Sequence, residues 1–317
     1  MEHVQSNEVE LKENNKKKSK WNQMMKEKWL YLMLLPGLLF FIIFKYVPMW
    51  GIIIAFQDYS PFLGVLESNW VGFEHFQYFF SNPDFLRLLR NTFILALYDL
   101  IFFFPAPIIL ALLLNEIRIS IYKRALQTFV YVPHFMSWVI IASISYVFLT
   151  TSGGVVNDIL AKIIGTEINF LSSPEWFRPM IMGQIIWKET GWGTVIFLAA
   201  LASVDQEQYE AAIVDGAGRF RRLWHVTLPA IRSTIVILLI LRLGNFLDTG
   251  FQQIYLMSNS LNRSVADVFD TYVYFVGITE GAFSYSTAVG LFKSIVGIVL
   301  IVGADRLAKK LGQGGLF

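Results

Sequence analysis

Polar residues along this chain are confined to short stretches between six long apolar runs, at about 30–57, 92–114, 125–150, 179–204, 233–257 and 283–304. Each is as long as the roughly 20 residues a helix needs to cross a hydrocarbon core, where the backbone must satisfy its own hydrogen bonds. Short segments with every second residue apolar, the mark of a transmembrane β-barrel, are missing. The pattern predicts an all-α integral membrane protein with about six transmembrane helices. The third run holds no Lys, Arg, Asp or Glu, and the others hold one or two: Lys45; Asp99; Lys188 with Glu189; Arg242 with Asp248; Lys293.

The first run is expected to stay as a helix rather than be cleaved as a signal peptide. Polar or mixed residues fill the 29 positions before it, it is too long, and no small-residue cleavage site follows. Lys and Arg are retained on the cytoplasmic side of a membrane. Sixteen of the 26 fall on one side of the predicted spans: Lys12, Lys16, Lys17, Lys18, Lys20, Lys26 and Lys28; Arg118, Lys123 and Arg124; Arg219, Arg221 and Arg222; Arg306, Lys309 and Lys310. Only Arg87, Arg90, Lys162, Arg178 and Arg263 fall on the other. Both termini are therefore expected in the cytoplasm of a cell-membrane protein.

This orientation divides the chain into a basic cytoplasmic tail (1–28), a first transmembrane helix (29–57), an extracellular loop (58–91), a transmembrane core (92–306) and a cytoplasmic C-terminal tail (307–317). The outer loops, 58–91, 151–178 and 258–282, are longer than the inner ones, as suits a protein that meets something outside. In the first of them, Phe73, Phe76 and Phe80, then Phe85, Leu86 and Leu89, have the spacing of a helix lying along the outer membrane surface.

Composition narrows the function. Hydrophobic residues make up 55% of the chain and charged residues 16%, against about 25% charged in soluble domains. A net charge of only +2 does not suit a polyanion binder, so the basic tail reads as a lipid-facing arm and no nucleic-acid partner is expected. The absence of cysteine removes thiolate chemistry and Cys-based metal sites. His3, His75, His134 and His225 are scattered, without an HExxH, and no metal ligand set or catalytic residue is expected. No GxSxG elbow and no GxxxxGK[ST] phosphate cradle occur; GLFKS at Gly290–Ser294 lacks the glycine before its lysine. The chain itself should bind no cofactor.

One polar interruption, YEAAIVDGAGRFRRLWHVTLP at 209–229, stands out between the fourth and fifth runs. Asp205 followed by Gln208 has the form of a capping box, which predicts a helix starting near Gln206. Gly216 suits its C-terminus, where φ turns positive. After Gly218, the i, i+3, i+4 spacing of Phe220, Leu223 and Trp224 predicts a second short helix with arginines on its other face. Pro229 is expected in the first turn of the following span.

This segment resembles the signature of permease subunits of ABC importers: Glu-Ala-Ala, three residues, Gly, nine residues, Ile, any residue, Leu-Pro. Here the residues are Glu210, Ala211, Ala212, Gly216, Leu228 and Pro229, with Val226 where Ile is usual. Asp215, Gly216 and Ala217 look like the maltose and glycerol-phosphate branch. YLMLLPGLLFFIIFKYVPMWGIIIAFQDY, GWGTVIFLAALASVD, FDTYVYFVG and YSTAVGLFKSIVGIVL are similar to its oligosaccharide and polysaccharide permeases.

The resemblance implies a type I ABC importer permease fold. It also implies a coupling helix within 205–229 that docks on an ABC ATPase present in two copies, where ATP and Mg are used. A second homologous permease and an extracellular solute-binding protein that delivers the sugar would complete the assembly. Another solute, such as glycerol phosphate or a modified sugar, or an ion-coupled carrier or channel, are the competing functions.

Ionisable residues inside a bilayer are costly and tend to face a wet cavity or the bundle interior. In the fifth run Arg242, Asn245, Asp248 and Gln252 form a polar stripe if the helix is continuous. In the fourth, Gln184 and Lys188 share a face with Trp192, and Trp187 and Glu189 lie close by. Hydrogen-bonding groups beside aromatic faces suit a sugar path. The same charges could instead form interhelical pairs such as Lys188 with Asp248 or Glu189 with Arg242. Asp99 and Lys293 read as structural.

Overall fold

The computed structural model describes residues 25–312 and 315; most of the expected basic tail and part of the C-terminal tail lie outside them. The chain runs through α1 (Lys28–Phe56), the two-residue strands β1 (Gln57–Asp58) and β2 (Asn69–Trp70), α2 (Glu74–Ser81) and α3 (Asp84–Asn115). It continues through α4 (Ser120–Phe135), α5 (Trp138–Leu149), α6 (Val155–Ile164) and α7 (Pro174–Ala202). Then follow α8 (Gln206–Val214), α9 (Arg219–Ala230), α10 (Arg232–Gly244), α11 (Phe251–Met257), α12 (Phe269–Tyr274) and α13 (Phe283–Lys310). Below, the end of the bundle carrying β1, β2, α2 and α12 is called distal and the end carrying α8 proximal.

Among the described residues, α1, α3, α7 and α13 are long and apolar enough to cross a membrane singly. The other two apolar runs are not straight spans. α4 and α5 meet at 99° across Met136–Ser137, where Ser137 caps α5 by accepting from the Ile140 amide at 3.3 Å. Pro133 lies just before this corner and cannot donate a helical hydrogen bond. The fifth run is interrupted twice. α9 and α10 are bent by 60° at Ile231, so Pro229 closes the bent segment rather than opening the span as expected. The helix stops again at Gly244 and resumes at Phe251, after Gly250 with φ of 82°.

Span two also starts earlier than its apolar run, at Asp84, so the distal part of α3 lies within the segment expected to be a loop. Three spanning segments contain wide π turns that each end two residues before a proline: Ile42–Tyr46 before Pro48, Asp99–Phe103 before Pro105, and Leu223–Thr227 before Pro229. A proline removes one i→i−4 donor, and the extra residue in the turn relieves the clash with the carbonyl behind it.

Three apolar clusters hold the bundle. At the proximal end Ala111, Phe197, Leu201 and Ile231 join α3 and α7 to the bend before α10. Leu95, Phe177, Ile181, Ile254 and Met257 join α3, α7 and α11. At the distal end Phe79, Leu88, Phe269 and Val289 pack α2 and α12 on α3 and α13. Phe79 is fully buried, and Phe85 and Leu89 pack on the same cluster. Of the aromatic segment expected along the outer membrane surface, Phe85 and Leu89 thus pack on the bundle, while Phe73, Phe80 and Leu86 stay exposed. α1 stays exposed along nearly all of its apolar length.

Glycines set the closest crossings. A Cβ at Gly191 of α7 would strike the main chain of α4 at Val130, and one at Gly297 of α13 would strike the Gly244 carbonyl of α10.

Candidate functional site

The break between α10 and α11 opens into a cavity of about 320 Å³ walled by α3, α7 and the broken span itself. Asp99 sits at the start of the π turn in α3, and its carboxylate receives two hydrogen bonds from the Arg242 guanidinium at the end of α10. Arg242 also lies over the Phe103 ring, 5.0 Å from its centre. Glu189 of α7, Trp138 at the start of α5, Asn245, Asp248 and Thr249 of the break, and Gln253 of α11 complete the polar part of the wall.

The polar residues predicted in the fourth run lie on α7, which begins at Pro174. Lys188 is therefore 14 residues from the distal end, about 21 Å at 1.5 Å per residue, deeper than the apolar run alone suggests. Its side chain is 8% exposed, and Nζ donates to the His134 carbonyl at 2.6 Å and lies 3.1 Å from Glu189 Oε1. Glu189 Oε2 shares a 2.8 Å hydrogen bond with His134 Nδ1. The His134 ring stacks on Trp192 with centres 4.7 Å apart and planes 3° apart. Lys188, Glu189 and Trp192 thus brace the 99° corner between α4 and α5, and only Glu189 of the three lines the cavity.

Gln184 is buried, donating to Ser145 Oγ at 2.7 Å and accepting from Gln253 Nε2 at 2.8 Å. Trp187 is about half exposed and stands apart from the cavity wall.

In the fifth run the expected stripe is split. Arg242, Asn245 and Asp248 reach the cavity, but the interruption between Gly244 and Phe251 resets the phase. Gln252 points outward, and its neighbour Gln253 takes the buried place, donating also to the Ile181 carbonyl at 2.9 Å. The ion pairs considered from sequence, Lys188 with Asp248 and Glu189 with Arg242, do not form. Arg242 meets Asp99 instead, and Lys188 meets Glu189.

On the far side of the break, Asp270 of α12 accepts from the Thr249 amide at 2.9 Å and pairs with Lys293 of α13. Asn245 and Asp248 also line a smaller cleft there, of about 250 Å³. The unwound residues are thus held from one side by Asp270 and exposed to space on both.

At the proximal end, Asp205 caps α8 by accepting from the Glu207 amide at 3.0 Å. Gly216 has φ of 74°, and the Ala217 amide returns to the Ala212 carbonyl at 2.8 Å, which ends the helix. No residue of α8 is buried. Tyr209 ties it to α9 through a 3.0 Å hydrogen bond to the buried Thr227. Glu210, Ala211 and Asp215 are exposed, Ala212, Ala217 and Leu228 are half-buried, and Pro229 is exposed beside the Ile231 bend. Ile213, Val214, Phe220 and Trp224 leave large apolar surfaces uncovered around them.

Comparison with known proteins gives a consistent result. Residues 103–313 match the family described as binding-protein-dependent transport system inner membrane component. Protein LplB of Bacillus subtilis is 69% identical over 288 residues, covering 91% of both chains. The polygalacturonan/rhamnogalacturonan transport system permease protein YteP of the same organism is 57% identical over 288 residues, covering 91% of this chain and 90% of its own. A chain of a bacterial alginate ABC transporter, solved in complex with an alginate pentasaccharide-bound periplasmic protein, superposes with a TM-score of 0.85. It is 39% identical, over 93% of this chain and 99% of that one.

Proposed function

The chain belongs to the family of binding-protein-dependent transport system inner membrane components, ABC importer permeases, and from that premise we propose that it carries an oligosaccharide released from an acidic polysaccharide across the cell membrane. The names of YteP, for polygalacturonan and rhamnogalacturonan, and of the alginate transporter support the substrate class. The cavity at the broken fifth span carries the assignment of the path. It is the place within membrane depth where charged, amide and aromatic groups converge on open space.

In this reading Arg242, Asn245, Asp248 and Glu189 line the path, and Gln184, Lys188 and Trp192 hold its walls. Both termini and α8 face the cytoplasm, while the distal loops receive an extracellular solute-binding protein. A second homologous permease completes the pathway, and two copies of an ABC ATPase hold ATP and Mg. Glu210, Ala211, Ala212, Asp215, Gly216 and Ala217 form the ATPase-docking face, supported by a helix none of whose residues is fully buried. Leu228 and Pro229 transmit its displacement through the bend at Ile231. ATP-driven closure of the ATPases would draw the two coupling helices together and open the cavity outward; hydrolysis would reset it inward.

Reconstitution of the permease pair, ATPase and binding protein in vesicles tests this. Uptake of a labelled oligogalacturonide should require ATP on the α8 side and should be lost in Gly216→Val. Uptake that persists without ATP, or a Gly216→Val importer with normal uptake and ATPase association, would overturn it.

A further inference from the structure

We propose that the distal ends of α3 and α7 form a carboxylate-binding cleft for the incoming saccharide, with Arg90 and Arg178 as its cations; this rests on the acidic-oligosaccharide reading above. The cleft has a volume of about 270 Å³ and is lined by Arg87, Arg90, Asn91 and Arg178, with Ser264 and Val265 of the short helical turn Arg263–Ala266 opposite. Its charges do not balance. Asp267 lies 3.2 Å from both Arg87 and Arg263, and Arg87 also meets Asp84 at 3.1 Å, so two carboxylates answer two arginines. Among the described residues, neither Arg90 nor Arg178 meets a carboxylate, and the cleft retains two positive charges.

Arg178 is held in place without being satisfied. One Nη2 hydrogen donates to Asn91 Oδ1 at 3.0 Å. Asn91, itself 2% exposed, is fixed by donating to the Ser264 and Asp267 carbonyls at 3.0 Å each. The Nε of Arg178 is buried and has no hydrogen-bond partner. That nitrogen lies out of reach of a ligand, so the contact falls to the Nη groups of Arg178 where the residue lines the cleft, and a planar carboxylate fits the outer fork of a guanidinium in two-point fashion.

Position favours cargo over a side chain of a docked protein. Met182, Ile185 and Glu189 follow Arg178 by four, seven and eleven residues, on one face of α7, and all three line the central cavity. Met182 lies one turn below Arg178, about 6 Å along the axis. The cavity's own cation, Arg242, is matched by Asp99, and nearby Lys188 by Glu189. The unmatched positive charge on this route is therefore at its distal mouth, where an acidic saccharide would leave the binding protein.

The test uses the assembled importer in lipid nanodiscs without binding protein. Binding of trigalacturonate is compared with that of its fully methyl-esterified, uncharged form. Arg90→Gln, which removes no hydrogen bond or ion pair among the described residues, should weaken trigalacturonate binding about tenfold, the size of one lost charge-assisted hydrogen bond. Arg178→Gln should do at least as much, Arg178→Lys should fall between, and the ester should bind all variants alike. The wild-type preference for the charged form should shrink at high salt.

Unchanged trigalacturonate affinity in Arg90→Gln, or equal losses for both forms, would overturn the inference. So would a variant defect confined to ATPase stimulation by ligand-free binding protein, which would make the cleft a protein-docking surface. If the wild type binds trigalacturonate through these arginines but does not import it, the cleft stands and the substrate reading falls. If it imports trigalacturonate and Arg90→Gln changes neither binding nor import, the substrate reading stands and the cleft falls.

Discussion

Gly191 offers a direct measure of how tightly the corner of α4 and α5 is locked to α7. A Cβ there would lie 2.6 Å from the Val130 carbonyl carbon and 3.1 Å from the Tyr131 amide nitrogen, and closer still to the Val130 oxygen. Ordinary contacts begin at 3.4 Å, so Gly191→Ala forces the two backbones apart by at least ~0.8 Å, the difference between 3.4 and 2.6 Å. Neither obstacle can rotate away, because both are main chain. Overpacking of this kind costs about 1–3 kcal/mol, against a gain of roughly 1 kcal/mol when alanine replaces glycine in a helix.

Gly183, two turns away on the same helix, supplies the control, since nothing lies within 4 Å of a Cβ built on it. The helix-propensity gain is common to both variants. The difference between Gly191→Ala and Gly183→Ala therefore isolates the packing penalty, expected at about 1–3 kcal/mol. Denaturation of the detergent-solubilised subunit should show Gly191→Ala less stable than Gly183→Ala by that amount. Uptake should fall as well, because Lys188 and Glu189, within one turn of Gly191, brace His134 across the same crossing. Equal stability of the two variants would refute the close approach on which the corner depends.

Asp99→Asn should leave Arg242 facing the cavity without a counter-ion and depress uptake. The reversed pair, Asp99→Arg with Arg242→Asp, should recover part of it, with a coupling of about 1–3 kcal/mol by double-mutant cycle, below the fully buried range because the Arg242 side chain is 42% exposed. Asp270→Asn should speed amide hydrogen exchange at Thr249 at least tenfold while leaving exchange in α7 unchanged. The lost groups are the acceptor of the Thr249 amide and the partner of Lys293. Asn157→Ala should unfasten α6 from the turns that join it to α5 and α7. This fully buried side chain donates to the carbonyls of Leu149, Thr150 and Ile168 and accepts from the Ile168 amide, and its loss should cost about 2–4 kcal/mol, read as exchange localised to residues 150–170.

The features that could be read in the sequence are those whose cause is local. Apolar length located the spans, because hydrocarbon makes the same demand of every spanning backbone. Asp205 and Gly216 located the ends of α8, because a side-chain cap and a positive φ need only their own neighbours. The misses all involve distance or phase. Gln252 belongs to the stripe only in a continuous helix; the helix ends at Gly244, so residues beyond the interruption leave the face that counting assigns them. Asp99 read as structural because its partner, Arg242, is 143 positions away. Arg178 read as one outer charge among five, and its unsatisfied Nε is visible only once Asn91 and Ser264 are folded around it. Gly244-Asn245 and Thr249-Gly250 were the available signals for the break, since each pairs a glycine with a residue that favours turns.

The break at 245–250 lies about 20 Å along the helix axis from the start of α10, within membrane depth, where unwound backbone is tolerated only if protein or a wet cavity supplies hydrogen bonds. Asp270 supplies one such bond to the Thr249 amide, and Lys293 pairs with the same carboxylate. The cavity side is met by Arg242, turned toward Asp99 where α3 itself widens into a π turn. Two helices therefore depart from regular geometry at facing positions, and both departures place polar groups on the same space. A sequence selected only for spanning would remove either irregularity with an apolar residue and a continuous helix. Keeping both, with a partly buried ion pair behind the break, makes sense if the segment must exchange hydrogen bonds with something that passes.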